Sequence, residues 1–256
     1  MDEGWTMNVS EYKIMYDLEN DHWYYIALRD LIFSYLKKQY PNGNGLKILD
    51  AGCGTGALLE NLIEHGYEDV KGMDISEHAL FYCKKRDLNQ ILLGSISRLP
   101  FRDNQFDLIT SIDVICCLQV VDDVTALREF YRVLKNSGRL ILNVPAYKFL
   151  MSEHDKATQT GIRYSKDDLT RKLGLAGFKI ERITHRNSFL FPLVMIYRIL
   201  KKNSKTADES KSDLKALPNF VNKTLIELLE IENTILKKFN FPFGSSIFCI
   251  AYKVLI

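Results

Sequence analysis

Apolar residues recur at helical spacing between Glu11 and Tyr40 (Ile14, Leu18, Ile26, Leu31, Leu36), and the stretch stops at the breaker cluster Pro41, Asn42, Gly43, Asn44, Gly45. One or two helices are predicted there. A short apolar run, Lys47 to Asp50, then leads into glycines, and Ala57 to His65 returns to helical spacing before Gly66. That order predicts a strand, a tight turn and a helix. The alternation continues with a strand over Val70 to Asp74, a helix over Glu77 to Arg86, and a short strand at Ile91 and Leu92. A strand over Phe106 to Ile112, a helix over Val124 to Leu134 and a strand over Arg139 to Val144 follow. Lys166 to Leu175 reads as a further helix, Lys179 to Thr184 as a strand, and Ile247 to Val254 as the last strand. Strands that alternate with helices require crossovers, which are right-handed and build a parallel sheet.

Between the last two strands the pattern changes. A strongly apolar helix (Phe189 to Leu200) is followed by a polar stretch (Lys201 to Lys215) and an amphipathic helix (Phe220 to Phe239). The polar stretch buries too little to fold alone and is expected to be mobile. The two helices are expected to form a hairpin cap whose apolar face is covered by the core, a second copy in a homodimer, a lipid surface or an apolar substrate pocket. Arg198, Lys201, Lys202 and Lys205 follow that face, a pattern suited to peripheral contact with an anionic membrane, although packing on its own domain is the commoner arrangement. Pro192 and Arg198 interrupt the helix, which is shorter than the ~20 residues needed to span a bilayer. The expected organisation is an N-terminal helical lid (1–45), a core (46–187 and 246–256) and a helical cap insertion (188–245).

Composition narrows the class. A chain of 256 residues with 46% hydrophobic content can bury one full α/β core with added elements. The formal charge of +2, from 34 basic and 32 acidic side chains, carries no excess that would favour nucleic acid. Five cysteines, an odd number with no C-x-x-C pair, fit reduced thiols in the cytoplasm better than disulfides or a metal site. The first ten residues contain no apolar run after a basic stretch, so no secretory signal is expected.

The candidate chemistry begins at Asp50-Ala51-Gly52-Cys53-Gly54-Thr55-Gly56, after the first core strand, where glycines let the backbone turn sharply and approach a ligand. Gly52, Gly54 and Ala57 also satisfy G-x-G-x-x-A, and Asp74 follows at about the distance of a dinucleotide-binding ribose carboxylate. That reading would put a pyrophosphate on the helix that starts near Gly56. A carboxylate at Asp50 opposes a pyrophosphate and suits a ligand end that carries an ammonium and a sulfonium.

From about Trp23 to Phe178 the chain resembles the class I S-adenosylmethionine-dependent methyltransferases whose first motif is D-x-G-x-G-x-G. The resemblance implies a doubly wound, Rossmann-like α/β fold, with a seven-stranded, mostly parallel sheet and an antiparallel last strand. It implies S-adenosylmethionine as cofactor, with S-adenosylhomocysteine as product, held at Asp50, Gly52, Cys53, Gly54 and Gly56. Asp74 would hold the ribose hydroxyls and Ile75 would pack on the adenine. Gly94-Ser95-Ile96-Ser97-Arg98-Leu99-Pro100-Phe101 and Phe106-Asp107-Leu108-Ile109 are similar to the family's G-D-A-x-x-L-P-F and F-D-x-V segments. Ser95 stands where an aspartate usually meets the adenine, and Ile96 and Ser111 complete the expected donor set. Val114-Ile115-Cys116-Cys117 departs from the family's V-L-x-H, which removes a histidine candidate; Leu127 to Leu140 resembles the lead into the fifth strand.

His22-Trp23-Tyr24-Tyr25-x-x-x-Arg29 resembles the H-W-W-F-x-x-R-R lead-in of some of these enzymes, which implies Arg29 on the donor carboxylate and Tyr24 near the acceptor. An aromatic helix face packed on the core is the alternative. Ser152-Glu153-His154-Asp155 and Gly161-Ile162-Arg163-Tyr164 are similar to the family's acceptor-side E-H-D and R-R-Y segments. Asp155, Arg163 and Tyr164 are then expected to bind substrate, and His154 to take a proton. Alternatively, His154 and Asp155 cap a helix or bond Arg163 and Tyr164. In-line methyl transfer to an oriented acceptor can proceed without a dedicated base. The expected function is methyl transfer to a small molecule or a lipid or glycan precursor. The alternatives are a cofactor-binding module without transfer activity and an NAD(P)-dependent oxidoreductase. A nucleic-acid acceptor is disfavoured, since Ser111-Ile112-Asp113-Val114 occupies the position of an N-P-P-Y motif.

Overall fold

A computed structural model describes residues 7–41, 43, 45–202 and 214–254 of the chain. Most of the polar stretch expected to be mobile, 203–213, lies outside the described residues. Two helices, α1 (Val9–Leu18) and α2 (Trp23–Gln39), precede β1 (Lys47–Ala51), α3 (Ala57–Glu64), β2 (Asp69–Asp74), α4 (Glu77–Lys85), β3 (Ile91–Leu93) and β4 (Phe106–Ile112). Then come α5 (Asp123–Val133), β5 (Leu134–Pro145), a 3-10 turn (Lys148–Leu150), α6 (Glu153–Ala157), α7 (Lys166–Leu175), β6 (Phe178–Arg186), α8 (Phe191–Lys202), α9 (Asn219–Leu236) and β7 (Ser246–Lys253).

The seven strands run in the order β3-β2-β1-β4-β5-β7-β6, and β7 is antiparallel to both of its neighbours while the others pair in parallel. This is the doubly wound, Rossmann-like sheet with an antiparallel last strand. Successive strand residues alternate between its faces. Leu49, Ile109 and Leu140 join α5 and α7 in one core cluster, whereas Ile48, Leu108 and Ile141 join α2, α3 and α4 in a second. The strand order reverses between β1 and β4, so the connections beyond their carboxyl ends diverge and leave a crevice.

β5 starts at Leu134, earlier than the alternation suggests, because Phe106 of β4 pairs with Leu134 across an irregular register. α8 starts at Phe191 rather than Phe189, and the Phe189 N–H ahead of it donates to Glu232 Oε2 of α9 at 3.0 Å. α2, α8 and α9 share a small core of Ala27, Leu190 and Leu229. The N-terminal and C-terminal helices are also joined through side-chain amides: Asn233 Nδ2 donates to the Ala27 carbonyl at 2.7 Å, and Asn222 Oδ1 accepts from the Trp23 N–H at 3.0 Å. Among the described residues no helix is long and apolar enough to cross a membrane.

Candidate active site

The glycine turn after β1 is folded against β2. The N–H groups of Gly52 and Cys53 both donate to the Met73 carbonyl, at 2.7 and 3.0 Å. Gly52 has φ +84°, and a Cβ built on it would lie 2.3 Å from Cγ2 of Val114. Only glycine fits there, for both conformation and space. Asp74, at the end of β2, accepts the Gly54 N–H on Oδ2 at 2.9 Å and the Ser76 N–H on Oδ1 at 3.0 Å. Burial raises its carboxyl above the usual range, and the bonds from Ser76, Gly54 and Ile75 oppose that shift.

These groups form one end of a cavity of about 1160 Å³. Gly52, Gly54, Asp74, Ile75, Ser95 and Ile96 line that end. Tyr24, Asp113, His154, Asp155, Arg163, Val194 and Tyr197 also line the cavity. Ile75 is 45% exposed and contributes an apolar side chain to the cavity lining. The structure therefore brings together ten of the residues singled out in the sequence.

Six others lie outside the cavity lining. The buried Asp50 carboxylate accepts a bond from Thr110 Oγ1 at 2.7 Å, and burial pushes its pKa up to about 7. Contrary to the expectation that Asp50 meets a cationic ligand end, it sits within the sheet. The Cys53 thiol is raised by the adjacent Cys83 thiol and by burial. Gly56 caps α3 over Leu88 and Cys83, and Ser111 is buried on β4. Arg29 donates to the carbonyls of Glu19 and Asn20 at the junction of α1 and α2, which keeps its guanidinium from the cavity. Tyr164 donates to Asp123 at 2.6 Å and to the Ile115 carbonyl at 3.1 Å inside the core.

Asp155 and Arg163 have structural partners as well. Asp155 Oδ2 accepts from the Ser152 N–H at 2.8 Å and from the Ser152 hydroxyl at 3.0 Å in a capping box on α6. Its Oδ1 accepts from Arg163 Nε at 2.9 Å, and Arg163 Nη1 donates to the Ala146 carbonyl at 3.0 Å. This clamp ties α6 to the end of β5 and sets His154 in the cavity wall.

Sequence reasoning missed Asp113 and the α1 residues Glu11, Tyr12 and Met15, all of which line the cavity. Tyr24 donates to Asp113 Oδ2 at 2.7 Å, and Asn143 Nδ2 donates to Asp113 Oδ1 at 3.0 Å and to the Tyr24 oxygen at 3.1 Å. The available signal was an aspartate directly after a predicted central strand. Helical spacing marked α1 without indicating which of its faces meets the glycine turn.

Residues 49–142 match the family model described as a methyltransferase domain. Over those residues, less than half of its length, the chain is similar to methyltransferase domains. It is 33% identical over 120 residues to the 24-methylenesterol C-methyltransferase 2 of Arabidopsis thaliana, a match that covers 44% of the chain and 32% of that protein. The chain spans about a third to a half of the length of such curated relatives. The methyltransferase fold is similar to that of a geranyl diphosphate methyltransferase solved with SAM, with a TM-score of 0.60 at 17% identity over 90% of the chain and 86% of that structure. A complex between the Haloferax volcanii Trm112 methyltransferase activator and a methyltransferase gives a TM-score of 0.60 at 16% identity, over 97% of the chain and 95% of that structure. The class uses S-adenosylmethionine as methyl donor. The glycine turn fits that group: a Cβ at Gly52 would close the cradle, Asp74 offers carboxylate oxygens to hydroxyls, and Ile75 offers an apolar face.

Proposed function

We propose that the chain is an S-adenosylmethionine-dependent methyltransferase that acts on a small molecule or a lipid or glycan precursor. One observation carries this reading: a single continuous cavity runs from Gly52 and Asp74 to Val194 and Tyr197 of α8. At about 1160 Å³ it exceeds the ~300–1,000 Å³ of a typical small-molecule site, which leaves room for an acceptor beside the donor. The formal charge of +2 does not favour a nucleic-acid acceptor.

In this reading Gly52 and Gly54 admit the methionyl part, Asp74 binds the ribose hydroxyls, and Ile75, Ser95 and Ile96 line the adenine. Asp50, Cys53, Gly56, Ser111 and Arg29 shape the donor site from behind. S-adenosylmethionine supplies a methyl on a sulfonium, an electrophile that needs no further activation. The residues of the chain supply alignment and exclude water. Tyr24, Asp155 and Arg163 set the walls of the acceptor end, with Tyr164 behind them, and His154 faces the acceptor. Residues 1–45 act as a lid and 188–245 as a cap on the core of 46–187 and 246–256. Leu193 and Ile196 of α8, 66% and 52% exposed, support a peripheral membrane contact or a homodimer through this face. A cytoplasmic location suits the five free cysteines.

Calorimetric titration with S-adenosylhomocysteine, with a nicotinamide dinucleotide as comparison, tests the donor. Micromolar binding of the former alone is expected, and binding of the dinucleotide alone would overturn the reading. Transfer of a radiolabelled methyl into lipid or aqueous cell extract then sorts the acceptor. Donor binding with no label in either fraction would favour a binding module. His154→Ala is expected to leave donor affinity within about threefold and to lower labelling if the imidazole serves the acceptor.

A further inference from the structure

We infer that Asp113 takes the proton of the methyl acceptor, so that the acceptor reacts through an N–H or O–H group. The inference rests on the methyltransferase reading of the cavity.

Position comes first. Asp113 directly follows β4, and its neighbour Val114 touches the donor turn, since a Cβ on Gly52 would meet the Val114 side chain at 2.3 Å. Asp113 lines the same cavity as Gly52 and Asp74. Its backbone is fixed to β5: φ is +57°, and its N–H donates to the Asn143 carbonyl at 2.8 Å.

The carboxylate is aimed but not consumed. Tyr24 donates to one oxygen and Asn143 to the other, while a carboxylate offers about four acceptor positions. Among the described residues no cation forms an ion pair with Asp113, whereas Asp155 is paired with Arg163 and Glu153 with Lys156. Asp50 lies outside the cavity lining, and Asp74 stands at the donor end. Asp113 is thus an acidic group of the cavity beside the glycine turn, with Glu11 of α1 a second in the lining.

The step balances. The lone pair of the acceptor nitrogen or oxygen forms the bond to the methyl carbon, the carbon–sulfur bond leaves its pair on sulfur, and the proton passes to an Asp113 oxygen. The sulfonium and the carboxylate are both neutralised. An alkene acceptor has no such proton to give before methylation. Burial raises the Asp113 carboxyl, against the Tyr24 and Asn143 bonds and the more distant Arg186 and Arg163 charges. A raised carboxyl is a better match to proton transfer near neutral pH.

The test uses two donor analogues in which nitrogen replaces sulfur and bears a short arm toward the acceptor site. One arm ends in an amine and the other in a methyl group. Calorimetry on the full chain is expected to show the amine analogue binding roughly 10- to 100-fold tighter. Asp113→Asn, which tolerates the left-handed backbone, is expected to abolish that preference and leave S-adenosylhomocysteine affinity unchanged. Tyr24→Phe should weaken the preference several-fold, and thermal melting of both variants checks that they fold. No preference in the wild type, or a preference that survives Asp113→Asn, overturns the inference. A comparable loss of S-adenosylhomocysteine affinity in Asp113→Asn also overturns it, by assigning the carboxylate to the donor. Failure of the wild type to bind S-adenosylhomocysteine would instead defeat the methyltransferase reading itself.

Discussion

Asp50 and Asp74 sit on neighbouring strands and are held in opposite ways. Asp74 accepts two backbone N–H groups at the rim of the cavity, while Asp50 accepts Thr110 inside the sheet. Replacing Asp74 by alanine removes the proposed charge-assisted bonds to the ribose and is expected to weaken S-adenosylhomocysteine binding by about 1.5–3 kcal/mol. Unchanged affinity by calorimetry would remove Asp74 from the donor site. For Asp50 the consequence is a pH dependence of stability. Its pKa of about 7 in the fold exceeds the ~3.9 of an unfolded aspartate, so the native state binds the extra proton between these values. Its contribution to stability is complete below about pH 4 and is lost as pH rises through about 7. Asp50→Asn should therefore gain melting temperature relative to the wild type as pH rises across that window. A constant difference at all pH values would show that Asp50 does not titrate there.

At the scale of elements, the end of α1 is clamped to the donor turn. Glu19 accepts bonds from Thr55 and from Arg86 Nη2, the latter at 2.8 Å, and Arg86 also pairs with Glu60 and donates to the Thr55 carbonyl at 3.0 Å. The Glu19 and Arg86 side chains are only 7% and 5% exposed. Removal of one partner of such a buried pair typically costs 3–5 kcal/mol. Because Glu60 still holds Arg86, Glu19→Ala is expected to lose about 3 kcal/mol in urea unfolding. It should also weaken donor binding, since Met15 of α1 packs over Gly54. A loss below about 1 kcal/mol would indicate that Glu60 alone satisfies Arg86.

Across the whole molecule, α1 near the start of the chain and α8 late in it line the same cavity, and α9 packs behind them. Leu229 of α9, 1% exposed, packs with Ala27 of α2 and with Leu190 ahead of α8. Leu229→Ala should cost about 2–4 kcal/mol of stability, through lost transfer energy and the void left behind. The donor turn is held separately by β1 and β2, so S-adenosylhomocysteine should still bind the folded variant within about threefold, a change of less than 1 kcal/mol. A parallel collapse of donor affinity would mean that the packing of α2 against α9 also supports the glycine turn.

What the sequence determined by itself was the order of elements, the α/β class and the glycine turn, because strand and helix periods and turn glycines are properties of neighbouring residues. Gly52, Gly54, Asp74, Ile75, Ser95 and Ile96 were readable from motif spacing and do meet at one end of the cavity. Side-chain direction and long-range partners belong to the tertiary structure. Asp50 turns to Thr110, 60 positions away, and Tyr164 turns to Asp123, 41 positions away. Arg29 spends its guanidinium on nearby carbonyls that only the packing of α1 on α2 brings within reach. Tyr24 and Asp113, 89 positions apart, become partners because the N-terminal helices fold back over the carboxyl end of β4. Local pattern records what each residue needs from its neighbours, whereas the cavity is assembled from segments that meet only when the sheet closes.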